Sequence, residues 1–458
     1  MLGRALLIAA IVFASRLPFL GPGYGVDADA WRVAWAGRAI AETGHYEASR
    51  LPGYPLQELA QALIWRWGPA GSNAVSALFS AAAAACFALV LRRLGSRDDW
   101  LAALALAFAP VVYGASVQSM DFVWGLAFAL AALALALRRR AAWAGIAMGL
   151  AIGCRITWGA FLVPLSLVLV HASPPNTRIR SLAIGWALAL ATGGLLFAPV
   201  VLRYGASFFR FYPYSDPGLA VVVKHATVDL LGIPGLLALA AALGWWAMRR
   251  GRPARETSIP GPASGWLTGA WVAGIALYAG AYLRIPIDAA YLIPALPLLL
   301  LWLAQRLDRR AFQFVCMALI VSPWLFTVSR PAQLDAPRPA AGTVAIARGA
   351  LLLDLRGPIL TEHARRQERE RILERAFAQV RGRTGETVVV AWEWLPEIRV
   401  QLGGTSEGHV RYVYDLTLAE LEALQRRDVH IAYLPGADWG TEQTQGFDLA
   451  SRGAVRLR

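Results

Sequence analysis

Three aspartates at the edges of apolar segments are the first candidates for chemistry. Asp27 and Asp29 lie two residues apart at the start of a predicted amphipathic helix, directly after an apolar segment. Such carboxylates can serve as a general base, and they can also cap the helix by accepting hydrogen bonds from its free N–H groups. Asp121, in Gln118-Ser-Met-Asp-Phe, is either a helix cap or a functional acid, because a carboxylate at a membrane boundary is costly unless solvated or paired.

Basic residues also interrupt the apolar pattern close to these acids. Arginine suits phosphate because its guanidinium binds two oxygens at once, and any cation at a membrane surface can attract a lipid phosphate. The alternative for each is an ion pair with lipid headgroups or an anchor for the end of a helix. The candidates are Arg50, Arg155, Lys224, His225 and Arg284.

The composition is that of a membrane protein. Of its 458 residues, 57% are hydrophobic and 16% are charged, whereas soluble domains average about 45–50% and about 25%. The net charge of +14 does not indicate nucleic-acid binding, because much of it lies in short loops beside apolar segments, as the positive-inside rule describes. We predict an α-helical polytopic membrane protein with about eleven transmembrane helices.

Arginine clusters on alternate loops predict the orientation. Because cytoplasmic loops are enriched in basic residues, the N-terminus and these loops should face the cytoplasm. The loops that hold all the candidate residues then face outward, including a long first outward loop over 21–73 that carries amphipathic helices. The clusters lie at 92–97, 138–140, 178–180, 249–255 and 306–310.

The last hundred residues have a different pattern. A transmembrane domain over 1–329 is followed by a proline-containing linker over 330–360 and an extracytoplasmic α/β domain over 361–458. Strands alternating with helices predict such a domain. The expected strands are Glu386–Val390, Tyr412–Tyr414 and Val429–Leu434, and the expected helices are Thr361–Val380 and Leu418–Arg427.

The order of these motifs resembles the GT-C superfamily of membrane glycosyltransferases, in particular the protein O-mannosyltransferase and aminoarabinose transferase branch. The resemblance covers about residues 1–300. An Asp-Ala-Asp replaces the usual Asp-Glu doublet. The segments that carry the resemblance are Asp27-Ala-Asp29, Arg50-Leu-Pro-Gly-Tyr-Pro-Leu56, Asp121, Ala144 through Arg155, and Tyr291-Leu-Ile-Pro-Ala-Leu-Pro297.

The resemblance implies an inverting glycosyltransferase in a bacterial inner membrane. It would move a sugar from a polyprenyl phosphate to a hydroxyl of a glycan, lipid or protein at the outer face. The base is Asp27 if the family's aromatic residue aligns with Trp31, our first choice, and Asp29 if the pair is aligned by its second member. Asp121 matches the second-loop acid, and Arg155 takes the place of the basic residue after the Gly-Leu-Ala turn. In this reaction the basic candidates Arg50, Arg155, Lys224, His225 and Arg284 would hold the donor phosphate. Trp31 and Tyr54 would contact the substrate.

Two other functions stay open at this point. A transporter or flippase of lipid-linked glycans would place charges in mid-membrane and often show inverted repeats, and a lipid-linked oligosaccharide polymerase or ligase would have its large loop late in the chain. No cofactor is firmly implied. Asp27, Asp29 and Asp121 could together bind a divalent cation, Mg or Mn, although the resemblance favours catalysis without a metal.

Overall fold

In the computed structural model, the chain forms a large helical domain followed by a small α/β domain. The structure describes residues 2–209, 217–249, 256–260, 265–329, 344–346 and 351–457. Most of the interval predicted as a linker, 330–360, lies outside the described residues. Its described parts form two short strands and the first residues of a helix.

Fifteen α-helices make up the described part of the helical domain. They are α1 Leu2–Arg16, α2 Ala28–Thr43, α3 Pro55–Ile64, α4 Gly68–Arg93, α5 Asp99–Phe108, α6 Pro110–Ser116, α7 Phe122–Ala136, α8 Ala141–Cys154, α9 Leu162–Ala172, α10 Arg178–Tyr204, α11 Leu219–Lys224, α12 Leu230–Met248, α13 Gly265–Arg284, α14 Ala295–Arg306 and α15 Arg309–Val321.

Helices α5 and α6 follow one another along the chain and meet at an angle of 66°. Among the described residues, four helical segments are long and apolar enough to cross a membrane, or five if the bent pair forms one span, and several shorter apolar helices accompany them. The fold class is therefore confirmed, whereas the number of eleven crossings stays a prediction.

The helical bundle is built from successive neighbours, with α1 on α4, α4 on α7, α7 on α8 and α8 on α10. Gly145, Gly149 and Gly153 line the face of α8 that meets α10. A Cβ at Gly145 would lie 2.4 Å from the carbonyl oxygen of Gly185. Small residues four apart permit this close approach between membrane helices, and it fixes Arg155 at the end of α8.

Helix α4 separates two polar ends of the bundle. At its start, the Asn73 side chain donates to the carbonyls of Leu20 and Gly23, both at 2.9 Å, within the first predicted outward loop. Just beyond its other end, buried Asp98 pairs with Arg309 at 3.0 Å. Because α4 has 26 residues, these ends are about 39 Å apart. Two of the predicted cytoplasmic arginine clusters thus meet at the end opposite the first loop.

The small α/β domain follows a three-stranded antiparallel sheet in the order β1-β3-β2. Its own sheet has five strands in the order β5-β6-β4-β7-β8, of which β6, β4, β7 and β8 are parallel. The elements are β1 Leu325–Ser329, β2 Val344–Ile346, β3 Leu351–Arg356, α16 Pro358–Arg381, β4 Thr387–Val390, α17 Leu395–Leu402, β5 Ser406–Glu407, β6 Val410–Val413, α18 Leu418–Arg426, β7 His430–Tyr433, α19 Ala437–Gln445 and β8 Val455–Arg456.

The three predicted strands and two predicted helices of this domain are confirmed, each within a few residues. Apolar side chains cover both faces of the sheet: one face packs on α16 and α17, and the other packs on α18. Burial on both faces is expected of a parallel sheet flanked by helices. Strand β4, which is buried throughout, lies at the centre.

Candidate active site

The start of α2 positions the two first-loop aspartates. Asp27 is the N-cap, with extended backbone, and its side chain accepts a hydrogen bond from the Asp29 N–H at 2.8 Å. Trp31 is buried, and its Nε1 donates to the carbonyl of Gly25 at 2.9 Å. Gly23 has φ of 53° and lies so close to the Trp31 ring that a Cβ would contact it at 2.7 Å. Trp31 thus fixes the turn that precedes Asp27.

Four charged side chains form a continuous chain behind Asp27. Arg50 Nε lies 2.8 Å from Asp29 Oδ2, and Arg50 Nη2 lies 3.7 Å from Asp121 Oδ1. Arg155 binds Asp121 through two hydrogen bonds, of 2.7 and 2.9 Å. Asp121, Arg50 and Arg155 are all buried, and a bidentate arginine–carboxylate pair is the strongest form such a contact takes. The structure therefore brings together four residues predicted from three separate loops.

Aromatic rings surround the two arginines of this chain. The guanidinium of Arg50 lies 3.9 Å from the centre of the Tyr54 ring. That of Arg155 lies 4.0 Å from Phe122, 4.7 Å from Tyr54 and 5.3 Å from Tyr291. A ring face attracts a cation more strongly when water is excluded. Tyr54 therefore contacts both arginines.

Glu58, in the first turn of α3, holds the loop that carries Arg50 and Tyr54. Its buried carboxylate accepts from the Ser49 N–H at 2.7 Å, the Ser49 hydroxyl at 2.6 Å, the Tyr54 N–H at 3.1 Å and the hydroxyl of Tyr46. Glu58 was not among the residues predicted from the sequence. In the sequence it is only an acid at the start of an amphipathic helix, and acids are common at helix N-termini.

A cavity of about 710 Å³ is lined by Asp27 and by Phe122, whose ring contacts Arg155. Asp27 is exposed into this cavity although protein surrounds it on most sides. Burial within the protein, with the nearby Asp29 charge as a second cause, raises the pKa of Asp27 to about 6. Such a value suits a general base near neutral pH.

Other walls of the cavity come from distant parts of the chain. Asp288 caps the turn before α14 by accepting from the Ala290 N–H at 2.8 Å, and burial raises its pKa. The α/β domain and the helix that leads into it supply further charged residues, none of which the sequence analysis identified. They are Glu362, Arg365, Arg369 and Glu393.

The remaining predicted basic residues lie apart from the charged chain. Lys224 and His225 line the cavity, but Lys224 Nζ contacts both oxygens of Asp229 at 2.6 and 2.8 Å, and His225 lies 3.6 Å from the same carboxylate. Arg284 is exposed at the end of α13 and is not among the residues that line the cavity.

The three aspartates considered as metal ligands do not form a free set of oxygens, because Asp29 and Asp121 are paired with arginines. Among the described residues, no group of three or more His, Cys, Asp or Glu side chains is arranged to hold a metal ion.

The fold confirms the resemblance predicted from the motifs: a GT-C-like helical membrane domain followed by a small α/β domain. The chain is similar to the crystal structure of ArnT from Cupriavidus metallidurans bound to undecaprenyl phosphate, with a TM-score of 0.56 and 14% identity over 99% of this chain and 90% of that one. It also matches ArnT from Cupriavidus metallidurans in the apo state, with a TM-score of 0.47 and 17% identity over 69% of this chain and 58% of that one. No protein-family model and no curated protein matches the sequence.

Proposed function

We propose that this protein is an inverting glycosyltransferase that takes its sugar from a polyprenyl phosphate at the outer face of the bacterial inner membrane. The observation that carries the proposal is the buried chain Asp29–Arg50–Asp121–Arg155 beside a cavity into which Asp27 is exposed. Its fold resembles that of ArnT bound to undecaprenyl phosphate, and a similar lipid is the proposed donor here. The N-terminus would then be cytoplasmic and the α/β domain extracytoplasmic.

In the proposed reaction, Asp27 takes the proton of the acceptor hydroxyl. The freed oxygen attacks the anomeric carbon of the donor sugar, a new C–O bond forms, and the bond between that carbon and the phosphate oxygen breaks. The electron pair leaves with the phosphate. Because attack and departure occur on opposite faces of the carbon, the configuration inverts. A base whose pKa lies near 6 accepts this proton at neutral pH.

Arg50 is the proposed contact to the leaving phosphate. Its Nη1 is buried and has no hydrogen-bond partner among the described residues, and an unpaired buried donor calls for a ligand to complete it. A preorganised cation stabilises the charge that develops on the leaving group. Asp121 and Arg155 hold Arg50 in place, while Lys224, His225 and Arg284 are proposed as further contacts for the donor phosphate, and Trp31 and Tyr54 for the substrate.

The test is release of polyprenyl phosphate by the full-length protein in nanodiscs, with a set of undecaprenyl-phosphate sugars as donors and a cell-envelope extract as acceptor. We expect at least a hundredfold loss in each variant: general-base catalysis contributes about 10²–10⁴-fold, which Asp27→Asn removes, and one preorganised electrostatic contact about 10²–10³-fold, which Arg50→Met removes. Glu42→Gln, on the exposed face of the same helix, is the matched control and should retain full activity.

The same experiment separates the other candidate functions. A flippase or transporter would move the lipid-linked sugar across proteoliposomes without releasing polyprenyl phosphate. A polymerase or ligase would consume only donors that carry more than one sugar. Full activity in both Asp27→Asn and Asp29→Asn would refute the proposed mechanism.

A further inference from the structure

The parallel sheet of the α/β domain contains a position where such sheets bind ligands. The connection that leaves β4 runs through α17 to β6 on one side, whereas the connection that leaves β7 runs through α19 to β8 on the other. Adjacent strands whose connections diverge leave a crevice at their carboxyl ends, and ligands bind there in open α/β sheets. This crevice lies between the residues that follow Val390 and those that follow Tyr433.

Aromatic residues stand on both sides of this crevice. Trp392 follows β4, and its ring lies 4.7 Å from that of Tyr414, which follows β6, at an interplanar angle of 32°. On the other side, the Trp392 ring packs so closely on Gly440 of α19 that a Cβ there would come within 2.3 Å of it. Trp439, the neighbour of Gly440, is 59% exposed. Trp392, Tyr414 and the first turn of α19, which carries the exposed Trp439, therefore lie at one edge of the domain.

The backbone at Trp392 is strained. Its φ is 47°, in the left-handed region that a bulky side chain rarely adopts. The surrounding contacts hold it there, since its N–H donates to the Tyr414 carbonyl at 3.0 Å. Conformations of this kind are unfavourable for a bulky residue, and they cluster at ligand sites. The indole is partly buried, with one part packed against the apolar core of the domain.

This edge faces the candidate active site. Tyr414 donates its hydroxyl to Glu393 at 3.1 Å, and Glu393 lines the same cavity as Asp27. Glu393 also lies 3.6 Å from Arg32, which pairs with Asp29 at 2.7 Å. A groove of about 260 Å³ runs alongside, between α2 and the α/β domain, and Arg32 and Tyr414 both line it.

We propose that this edge, with Trp392, Tyr414 and Trp439, binds the saccharide part of the acceptor and directs its hydroxyl towards Asp27. Ring faces pack against the C–H face of a sugar, while carboxylates and guanidinium groups beside them bond to its hydroxyls. Charged groove residues, Arg32, Glu47 and Arg399, suit a hydrated glycan better than a lipid surface. This proposal extends the proposed glycosyltransferase function and rests on it, because the bound saccharide is an acceptor only if the protein transfers a sugar.

The test is binding of the full-length protein, in nanodiscs, to an array of immobilised bacterial mono- and oligosaccharides. We expect binding to one class of saccharide and about tenfold weaker binding in Trp439→Ala, which corresponds to about 1.4 kcal/mol. Trp439→Phe should restore most of it, since a ring returns. Val455→Ala, an exposed apolar position on the far strand of the sheet, is the control and should bind normally.

Asp27→Asn should bind the saccharide while it turns over no donor, which separates this inference from the proposed function. Saccharide binding without any donor turnover by the unaltered protein would count against the glycosyltransferase and leave the saccharide site in place. The inference is overturned if no saccharide binds, or if Trp439→Ala binds saccharide as well as the unaltered protein. It is also overturned if proline-rich peptides or empty nanodiscs displace the bound saccharide.

Discussion

The proposed base predicts how activity depends on pH. Burial, with the Asp29 charge as the second cause, raises the pKa of Asp27 to about 6 from an ordinary value of 3.8. Below that pKa the carboxyl holds its proton and cannot take one from the acceptor. The ionised fraction falls from about 0.9 at pH 7 to about 0.1 at pH 5, so kcat/KM should fall about tenfold over that range.

The assay is polyprenyl phosphate release measured from pH 4.5 to 8.5 at low substrate, where kcat/KM reports the free enzyme. Asp29→Asn provides the sharper test. It removes the like charge, which lowers the pKa of Asp27, so the inflection should move to lower pH. Because burial is the larger cause and persists, the inflection should stay above 3.8. Glu42→Gln should leave it unchanged.

Two results would refute this reasoning. A rate that is constant between pH 7 and pH 5 would mean that the base titrates elsewhere. An inflection near pH 6 that persists in the residual activity of Asp27→Asn would assign it to another group. If Asp27→Asn remained active while Asp29→Asn lost all turnover, Asp29 would be the base, as the alternative alignment of the motif implies.

Three substitutions test the framework around the base. Arg155→Met leaves the buried Asp121 without its bidentate partner, so the protein should lose about 3–5 kcal/mol of stability, measured by thermal unfolding in detergent. The double variant Arg155→Met, Asp121→Asn should regain part of that stability, because it removes the unpaired charge. In Glu58→Gln an amide N–H faces the N–H of Ser49 in place of an accepting oxygen. The variant should lose about 1–3 kcal/mol of stability and have a lower kcat. An unchanged melting temperature and kcat would exclude a positioning role for Glu58. Arg366→Met removes a donor from four carbonyls, of which that of Gly23 keeps its bond from Asn73. It should expose the α/β domain to limited proteolysis at concentrations that leave the unaltered protein intact.

Local sequence patterns predicted much of the fold. Apolar segments bounded by arginines located the helices because a bilayer imposes both length and composition on each one. The strands β4, β6 and β7 were predicted because short apolar segments between turn residues are informative without knowledge of their partners. The first-loop acids and Arg50 were found because they stand at the start of a helix or in a motif.

The residues of the site that were not predicted are positioned by contacts between distant parts of the sequence. Nothing near Arg366 indicates that its guanidinium will bind carbonyls 249 to 347 positions earlier. Glu393 and Asp288 were missed for the same reason, because each reaches the cavity only when segments distant in sequence fold together. Lys224 illustrates the reverse case: its charge was evident, but its pairing with Asp229, five residues on, was not.

The contacts of Arg366 explain why the α/β domain is part of the site rather than an appendage. Its guanidinium donates to the carbonyls of Phe19, Pro22, Gly23 and Val117, at 2.6–3.1 Å. Phe19, Pro22 and Gly23 shortly precede Asp27, and Val117 shortly precedes Asp121. Hydrogen bonds from a charged donor contribute about 1.5–3 kcal/mol each, so α16 holds both loops in one arrangement. A movement of the α/β domain that broke these bonds would therefore alter the base and the charged chain together.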